Sequence, residues 1–348
     1  SGTVKDDAVF LNTRYGQICV QKFEDENGNG IRDEGEDTPV NGVLIEVLLD
    51  HVVVRSGYTG SCQVQCGMIC FTSLELGNYI VRETLNEGWY TEGPLEQNAN
   101  IDVSGECIEI TFMNIRLGQI CVLKYHDLDG DGIRDDEEPV KADVTIELQY
   151  PNGTLIESAV TDESGQVCFT GLILGDYIVK EIVPEGWYAT NGTQFAVGVE
   201  ESGQYIEVEF LNTEYGRICV YKYEDLNGDG EWQENEPAAS GVFVTLFHDG
   251  EEIANGTTDC DGIICFTGLE LGEYTVVETV PTGWYNTIPV SVDVTLDLSG
   301  ECQSATFLNA RYGSICVYKY EDEDGDGILE EGEDDLIDGV TIELYDVT

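Results

Sequence analysis

Residues 16–37 read GQICVQKFEDENGNGIRDEGED, and this stretch decides the fold because three close copies of it follow along the chain. The copies are GQICVLKYHDLDGDGIRDDEEP at 118–139, GRICVYKYEDLNGDGEWQENEP at 216–237 and GSICVYKYEDEDGDGILEEGED at 313–334. Their first residues are separated by 102, 98 and 97 positions. A period of this kind is typical of a chain built from repeated structural modules.

Between these copies, apolar and polar residues alternate over short runs such as VLIEV at 43–47 and VTIEL at 144–148. Alternation with a period of two, interrupted by frequent turn residues, favours β-sandwiches. We therefore predict an all-β chain of tandem Ig-like or prealbumin-like β-sandwich repeats, each of about 100 residues, arranged as a rod. The expected divisions are a closing strand of a preceding repeat at 1–15, repeats at 16–117, 118–215 and 216–312, and the opening half of a fourth repeat at 313–348.

The charge of the chain excludes several classes of protein. There are 69 Asp and Glu residues against 15 Lys and Arg, so the formal net charge is −54. A nucleic-acid-binding protein needs Lys and Arg to meet phosphate, and an anionic membrane surface would repel this chain. No catalytic Ser/His/Asp or Cys/His set, phosphate loop or zinc motif is present in the sequence, so we expect no enzyme acting on a separate substrate.

Each copy contains the spacing of an EF-hand-like calcium loop. Acidic or amide residues stand at positions 1, 3, 5, 9 and 12, glycine stands at position 6, and position 7 would offer a backbone carbonyl. Strands flank the loops, which favours a structural role for calcium, the expected cofactor; the alternative is an acidic turn without metal. The expected ligands are Asp25, Asn27, Asn29, Ile31, Asp33 and Glu36; Asp127, Asp129, Asp131, Ile133, Asp135 and Glu138; Asp225, Asn227, Asp229, Glu231 and Glu236; and Asp322, Asp324, Asp326, Ile328 and Glu333.

The 12 cysteines indicate disulfides and an oxidising, extracellular environment. Their positions in the repeats predict the pairs Cys19–Cys70, Cys121–Cys168 and Cys219–Cys265, with Cys316 left over. Two further cysteines, Cys260 and Cys302, occur together in the third repeat and have no counterpart in the second. We therefore predict that they pair, and by analogy that Cys107 pairs with Cys62 or Cys66.

The order of motifs resembles a known family. The calcium-loop pattern D-x-N/D-x-N/D-G-x-x-D-x-x-E is followed by GVxVxL, TDxxGxxxF, LxxGxYxVxE and GW. This order is similar to that of the SdrD B-like domains of staphylococcal Ser-Asp-repeat adhesins and of the related collagen-adhesin B-type (CnaB-like, prealbumin-like) domains. The resemblance covers nearly the whole chain and implies β-sandwich modules of a cell-surface or fibrous protein. The first repeat departs from it at 57–71, where the TDxxG turn is replaced.

The CnaB-like relatives imply a Lys–Asn isopeptide bond whose formation is assisted by an acid. The candidate residues are Lys22, Glu83 and Asn114; Lys124, Glu181 and Asn212; and Lys222, Glu278 and Asn309, with Lys319 and Asn12 in the incomplete repeats. The sequence supports this, because four of the seven lysines share one repeat position and the strand period places Lys22 on the same face as Ile18 and Val20. The alternative is a buried Lys–Glu ion pair that is hydrogen-bonded to Asn.

These observations predict a structural protein, namely an extracellular or cell-surface stalk, fibre or filament. Its partners would be further copies of the repeat, in the same chain or in neighbouring chains. The alternative is an adhesin array that recognises a host protein or a carbohydrate. The pairs Trp89-Tyr90, Trp187-Tyr188 and Trp284-Tyr285 would cap the core of each repeat, although a sugar-stacking row also fits them.

Overall fold

The computed structural model describes residues 10–33, 35, 38–60, 66–322, 325, 327–328 and 336–345. Within these ranges the regular elements are β-strands, as the sequence predicted. None of the described residues belongs to a helix that could cross a membrane. The chain forms two compact units. The first contains the first two sandwiches and extends to Gly216, and it also includes Gly268–Leu271 and Asp297–Glu301. The second contains the rest of the third sandwich and the residues after it.

The strands follow one another in the same order in each sandwich. The first sandwich contains β1 (Gly16–Glu24), β2 (Thr38–Pro39), β3 (Leu44–Leu49), β4 (Val52–Tyr58), β5 (Met68–Leu74), β6 (Gly77–Thr84), β7 (Trp89–Tyr90), β8 (Glu96–Ile101) and β9 (Cys107–Arg116). The second contains β10 (Gly118–His126), β11 (Thr145–Gln149), β12 (Leu155–Val160), β13 (Gln166–Leu172), β14 (Gly175–Ile182), β15 (Trp187–Ala189), β16 (Gln194–Val199) and β17 (Tyr205–Glu214). The third contains β18 (Gly216–Glu224), β19 (Phe243–His248), β20 (Glu251–Thr257), β21 (Ile263–Leu269), β22 (Gly272–Thr279), β23 (Trp284–Asn286), β24 (Ser291–Leu296) and β25 (Cys302–Arg311).

Two sheets make up each sandwich. In the second sandwich the strand orders are β13-β10-β17-β15 and β12-β11-β14-β16. The equivalent orders are β21-β18-β25-β23 and β20-β19-β22-β24 in the third, and β5-β1-β9-β7 and β4-β3-β6-β8 in the first, where β2 also pairs with β1. The opening strand and the closing strand of each sandwich are parallel neighbours, as in β1 with β9 and β10 with β17.

Alternating side chains of the two sheets form the core of each sandwich. In the first, Ile18 and Val20 of β1 meet Ile45 and Val47 of β3, and all four side chains are fully buried. Burial of one such aliphatic side chain stabilises a fold by about 1.5–3 kcal/mol. The period-two pattern in the sequence therefore identified the faces that drive the two sheets together.

The ends of the described chain differ from the complete repeats. Residues 10–15 form no strand. They contact the first sandwich instead, where the Arg14 backbone N–H donates to Ser104 Oγ at 2.7 Å. After Gly313, the fourth copy shows a single bridge, between Tyr320 and Leu336, in the part that the structure describes.

The structure confirms the three disulfides predicted from the repeat positions. Cys19–Cys70, Cys121–Cys168 and Cys219–Cys265 are formed, each with the two Cα atoms 4.0 Å apart. Each joins the opening strand to the antiparallel strand beside it, so the covalent link reinforces a pairing that already exists.

The predicted Cys260–Cys302 pair is wrong, because both thiols are free and exposed. Cys302 lies opposite Arg217, at the start of β18. Cys260 lies near the other end of β18, because the carbonyl of Gly262, two residues further on, accepts the N–H of Lys222. Five strand residues span about 16 Å, and a disulfide needs Cα atoms within about 7 Å. Cys66 and Cys107 are likewise free, and Cys62 lies outside the described residues.

We expect replacement of Cys121 and Cys168 by alanine to lower the free energy of unfolding of the second sandwich by up to about 4 kcal/mol. The bridge closes a loop with a sequence separation of 47 residues, and the chain-entropy model gives this magnitude. Denaturant unfolding measures the change. Replacement of the free, exposed Cys302 by alanine is the control, and a loss of similar size in that control would contradict the assignment.

Candidate functional site

A lysine, a glutamate and an asparagine meet inside the core of the first sandwich. Lys22 on β1, Glu83 on β6 and Asn114 on β9 are all buried. Lys22 Nζ lies 3.5 Å from Glu83 Oε1, and Asn114 Nδ2 donates to the same oxygen at 2.5 Å. The lysine also donates to the backbone carbonyls of Phe23 and Phe112, at 3.0 and 3.2 Å. One carboxylate oxygen therefore joins the amine and the amide.

The parallel register of β1 and β9 brings the lysine and the asparagine together. Lys22 lies opposite Phe112, and Glu24 lies opposite Asn114. Residues two positions apart on a strand share a face, so Lys22 and Asn114 project into the same side of the sheet. Strand β6 belongs to the facing sheet, and it supplies Glu83 from across the core.

The other two sandwiches contain the same arrangement, so the nine candidates from the complete repeats assemble as the sequence predicted. Their amine–carboxylate distances are 3.7 and 3.8 Å, and both amide–carboxylate hydrogen bonds are 2.5 Å long. Lys319 and Asn12, from the incomplete repeats, are exposed. The groups that assemble are Lys124, Glu181 and Asn212 in the second sandwich, and Lys222, Glu278 and Asn309 in the third.

Burial controls the protonation of these groups. Loss of hydration lowers the pKa of Lys22, Lys124 and Lys222 from 10.5 to about 8, against the opposing attraction of the glutamate. The same loss of hydration raises the pKa of the three glutamates, although the neighbouring lysine opposes this shift. Both partners are therefore shifted toward their neutral forms. A neutral amine is the form of lysine that can act as a nucleophile.

Some buried oxygens of these triads accept no hydrogen bond from the described residues. They include Oε2 of Glu83 and Glu181, and Oδ1 of the three asparagines. Buried polar atoms normally have a partner, and an unpaired one costs free energy. In the noncovalent arrangement, the amide oxygen of each asparagine therefore accepts no hydrogen bond from the described residues.

The loop after β10 brings three carboxylates together. Asp127 is buried, and its two oxygens accept the backbone N–H groups of Gly130 and Gly132 at 2.6 and 2.9 Å. Oxygens of Asp127, Asp129 and Asp131 all lie within 4.8 Å of one another. Both glycines have φ near +75°, which side chains rarely tolerate. A converging set of hard oxygen atoms of this kind fits a calcium ion.

The glutamate at position 12 accepts hydrogen bonds from the backbone of the loop. Glu138 accepts the backbone N–H of Leu128 at 3.0 Å and that of Asp135 at 3.1 Å. It ties the two ends of the loop together and is not one of the three converging carboxylates. Glu236 makes the equivalent pair of hydrogen bonds in the third repeat.

The remaining copies share the hydrogen bonds of position 1. The aspartate accepts the N–H of the glycine at position 6 at 2.8–2.9 Å in each of them, through Asp25, Asp225 and Asp322. The position 5 oxygens of Asn29, Asp131 and Asp229 accept the N–H of Ile31, Ile133 and Glu231. In the first loop Asp33 accepts the side-chain amides of Asn27 and Asn29. The predicted ligands Glu36, Asp324, Asp326 and Glu333 lie outside the described residues.

The residue at position 8, which was not predicted to have a role, attaches each of the first three loops to the sheet. The Arg32 guanidinium lies 4.1 Å from the centre of the Phe23 ring, and Arg134 lies 4.2 Å from that of Tyr125. In the third repeat the ring of Trp232 lies 5.2 Å from that of Tyr223. Each of these aromatic residues directly follows the buried lysine, so the loop is held beside the triad. The sequence does show a large side chain at position 8 of each of these loops, and this recurrence could have indicated the contact.

Contacts between the first two sandwiches, both of which belong to the first unit, were not predicted either. Tyr90, expected to cap its own core, also reaches the second sandwich, where its hydroxyl accepts the backbone N–H of Leu174 at 2.9 Å. The N–H of Ser202 donates to the Glu26 carbonyl within the first EF-hand-like loop at 2.9 Å. Gly28 of that loop approaches Leu174 so closely that a Cβ there would lie 2.3 Å from its Cδ1. The loop is therefore part of the junction.

Comparison with known proteins agrees with this architecture. The model of the SdrD B-like domain matches residues 116–203 and 216–308, which together exceed half of the chain. The chain belongs to the SdrD B-like domain family. The resemblance inferred from the motifs is thereby confirmed, as is an extracellular, cell-surface location.

The relatives of this SdrD B-like chain are much longer. Serine-aspartate repeat-containing protein F of Staphylococcus epidermidis (strain ATCC 12228 / FDA PCI 1200) is 30% identical over 92% of this chain and 22% of its own length. Serine-aspartate repeat-containing protein D of Staphylococcus aureus (strain Newman) is 28% identical over 93% of this chain and 27% of its own length. The chain thus spans about a quarter of these relatives. Among solved structures, BcpA, the major pilin subunit of Bacillus cereus, is 13% identical with a TM-score of 0.45, over 86% of this chain and all of that one.

We expect Glu181→Gln to destabilise the second sandwich by about 3–5 kcal/mol, because it leaves the buried Lys124 without a charged partner. Denaturant unfolding measures the loss. A combined Lys124→Met, Glu181→Gln variant should recover part of it, since the unpaired charge is then gone. Lys180→Met, on the opposite face of β14, is the control, and equal losses in this control and in Glu181→Gln would contradict the role given to the triad.

Proposed function

We propose that this chain is part of the shaft of a cell-surface stalk or fibre, in which each sandwich is locked by an isopeptide bond and by calcium. The observation that carries the proposal is the buried Lys–Glu–Asn triad, which recurs in all three sandwiches between the opening and the closing strand. Membership of a family found in surface adhesins agrees with this function. Its partners in the fibre would be further copies of the same repeat.

The chemistry of the bond follows from the positions of the three groups. The neutral amine of Lys22 attacks Cγ of Asn114, whose Nδ2 lies beside Glu83 Oε1, so the protonated acid is placed to give a proton to the leaving nitrogen. A proton passes from the amine through the carboxyl group to the leaving nitrogen. The C–N bond to Nδ2 breaks, ammonia departs and a Lys–Asn amide remains. Glu83 regains its proton, so no oxidant or cofactor is consumed.

The bond would change how the sandwich carries tension. It would join β1 directly to β9, so a pull on the chain would pass through a covalent link and bypass the strands between them. It would also close a loop of about 93 residues. On the chain-entropy model, this closure would raise the free energy of unfolding by about 4–5 kcal/mol.

Calcium would act on the loop that follows each opening strand. Its carboxylates repel one another, and a divalent ion would offset that repulsion. In the second repeat, Asp127, Asp129 and Asp131 would bind it, and Glu138 would hold the loop closed around them. Because Glu26 and Gly28 of the first loop contact the second sandwich, the ion would order that junction together with the loop.

The mass of the intact protein tests the isopeptide bonds. After reduction and denaturation, we expect it to fall short of the sequence mass by three ammonia molecules, one for each complete triad. Replacement of Glu83, Glu181 and Glu278 by alanine should restore the full sequence mass of that variant. A wild-type chain with the full sequence mass would show that the lysines remain ion-pair partners.

Calcium titration of thermal stability tests the loops. Extracellular calcium modules bind with dissociation constants of about 0.1–1 mM, and ligand at a hundred times that constant stabilises a site by about 2.7 kcal/mol. We expect calcium to raise the melting temperature and a chelator to reverse the change. Asp127→Asn should reduce the effect, whereas Asp136→Asn, an exposed neighbour in the same loop, should not. Equal responses of the two variants would contradict the assignment.

A further inference from the structure

The first EF-hand-like loop is contacted at two points by the sandwich that follows it. The Glu26 carbonyl at position 2 of the loop accepts the backbone N–H of Ser202 at 2.9 Å. Gly28 at position 4 lies against Leu174, and a Cβ on this glycine would overlap Cδ1 of the leucine. These two contacts, at positions 2 and 4, form an inter-repeat clamp around Asn27, the predicted calcium ligand at position 3.

The second loop has the same clamp. The Leu128 carbonyl at position 2 accepts the N–H of Ser299 at 2.8 Å, and a Cβ on Gly130 at position 4 would lie 2.9 Å from Cδ1 of Leu271. Ser299 and Leu271 stand in turns of the third sandwich that belong to the first unit. Asp129, one of the three converging carboxylates, lies between the two contacts.

A tyrosine of the sandwich that carries the loop holds each leucine in place. The hydroxyl of Tyr90 accepts the backbone N–H of Leu174, and that of Tyr188 accepts the N–H of Leu271, both at 2.9 Å. Both leucines directly precede the glycine of the L-x-x-G-x-Y motif. The same turn of the following repeat is therefore fixed by a hydrogen bond and packed against the loop in both cases.

The third loop offers a comparison within the same chain. A Cβ on Gly228, at position 4, would meet only the hydroxyl oxygen of Tyr285 within 4 Å, at 3.5 Å, and Tyr285 belongs to the same sandwich. Leu76 of the first sandwich has the same place in its repeat as Leu174 and Leu271, but its side chain is 45% exposed. The described part of the chain thus shows two loops with the leucine contact and one loop without it.

We propose that the turns of the following repeat regulate the calcium site of each clamped loop, with Leu174 and Leu271 as positioning residues. Mutual repulsion of Asp127, Asp129 and Asp131 drives these carboxylates apart when no cation lies between them. The clamp fixes the backbone on both sides of position 3 and so limits this movement. Less order then has to be imposed when calcium binds, and the affinity rises.

The coupling acts in both directions. If the clamp raises the affinity of a loop for calcium by some factor, calcium must strengthen the clamp by the same factor. This inference rests on the proposed calcium function and deepens it, because it assigns the regulation of each site to the next repeat. It does not involve the isopeptide bonds.

A calcium titration of the full chain, followed by NMR, tests the proposal loop by loop. The amides of Gly30, Gly132 and Gly230 report on the first, second and third loops, because each donates to the aspartate at position 1. Coupling between two sites typically changes an affinity by about 5- to 150-fold, so we expect Leu174→Ala to weaken calcium binding by the first loop at least about fivefold. Leu271→Ala should do the same to the second loop. Neither variant should change the other loop or the third.

Two further variants control this experiment. Leu76→Ala removes the equivalent exposed leucine of the first sandwich and should change none of the three loops. Tyr188→Phe removes the hydroxyl that accepts the N–H of Leu271 but leaves the ring in place, and it should weaken the second loop alone. This variant keeps the test valid if Leu271→Ala is poorly folded, which thermal melting shows.

Hydrogen exchange measures the coupling from the opposite side. Calcium should slow exchange of the Leu174 and Leu271 amides at least about fivefold, because local opening of the clamp becomes rarer. Asp129→Ala removes a ligand of the second loop. It should abolish the effect of calcium on the Leu271 amide and leave the effect on the Leu174 amide.

The possible failures are distinguishable. A wild-type chain in which no loop binds calcium would overturn the proposed calcium function and this inference together. Calcium binding that neither leucine variant weakens would overturn the inference alone. So would an equal loss in Leu76→Ala, or a loss at all three loops in a single leucine variant, because these results indicate a general effect on stability.

Discussion

The parallel pairing of the first and last strands is the constraint on which each sandwich depends. It aligns Lys22 with Phe112, and so places Asn114 on the same face two residues further on. The facing sheet then needs to supply only one acid, Glu83, to complete the triad. The same pairing leaves β5 on the outer side of β1, where the Cys19–Cys70 bridge can form. A shift of one residue in this register would turn the lysine out of the core and remove its contact with the asparagine.

Most of the fold and of the triad could be predicted because the repeats show the same residue types in the same places. Lys22, Glu83 and Asn114 each fall on an apolar face of a predicted strand, and strand periodicity is a local property that sequence reports directly. Three disulfides followed from the same argument, since cysteines at shared positions of neighbouring strands face the same side.

The rest depends on distances along and between strands, which local patterns do not contain. Cys260 and Cys302 occur together in the third repeat, yet the register of β18 and β25 puts them near opposite ends of one strand. Tyr90 was assigned to its own core because burial of aromatic rings is the commoner outcome, and the sequence did not indicate that its hydroxyl also contacts a residue 84 positions away.

The direction of the two terminal strands has a mechanical consequence. Because β1 and β9 run parallel, the chain enters the sandwich at one end of this strand pair and leaves it at the opposite end. A force applied to the two chain ends would therefore load the strand pair in shear. The hydrogen bonds that residues 17–24 of β1 make with β9 would share the load at the same time. An antiparallel pair pulled from one end would lose its bonds one by one. Forced unfolding is governed by the unfolding rate rather than by equilibrium stability, so this geometry alone would make each sandwich slow to rupture.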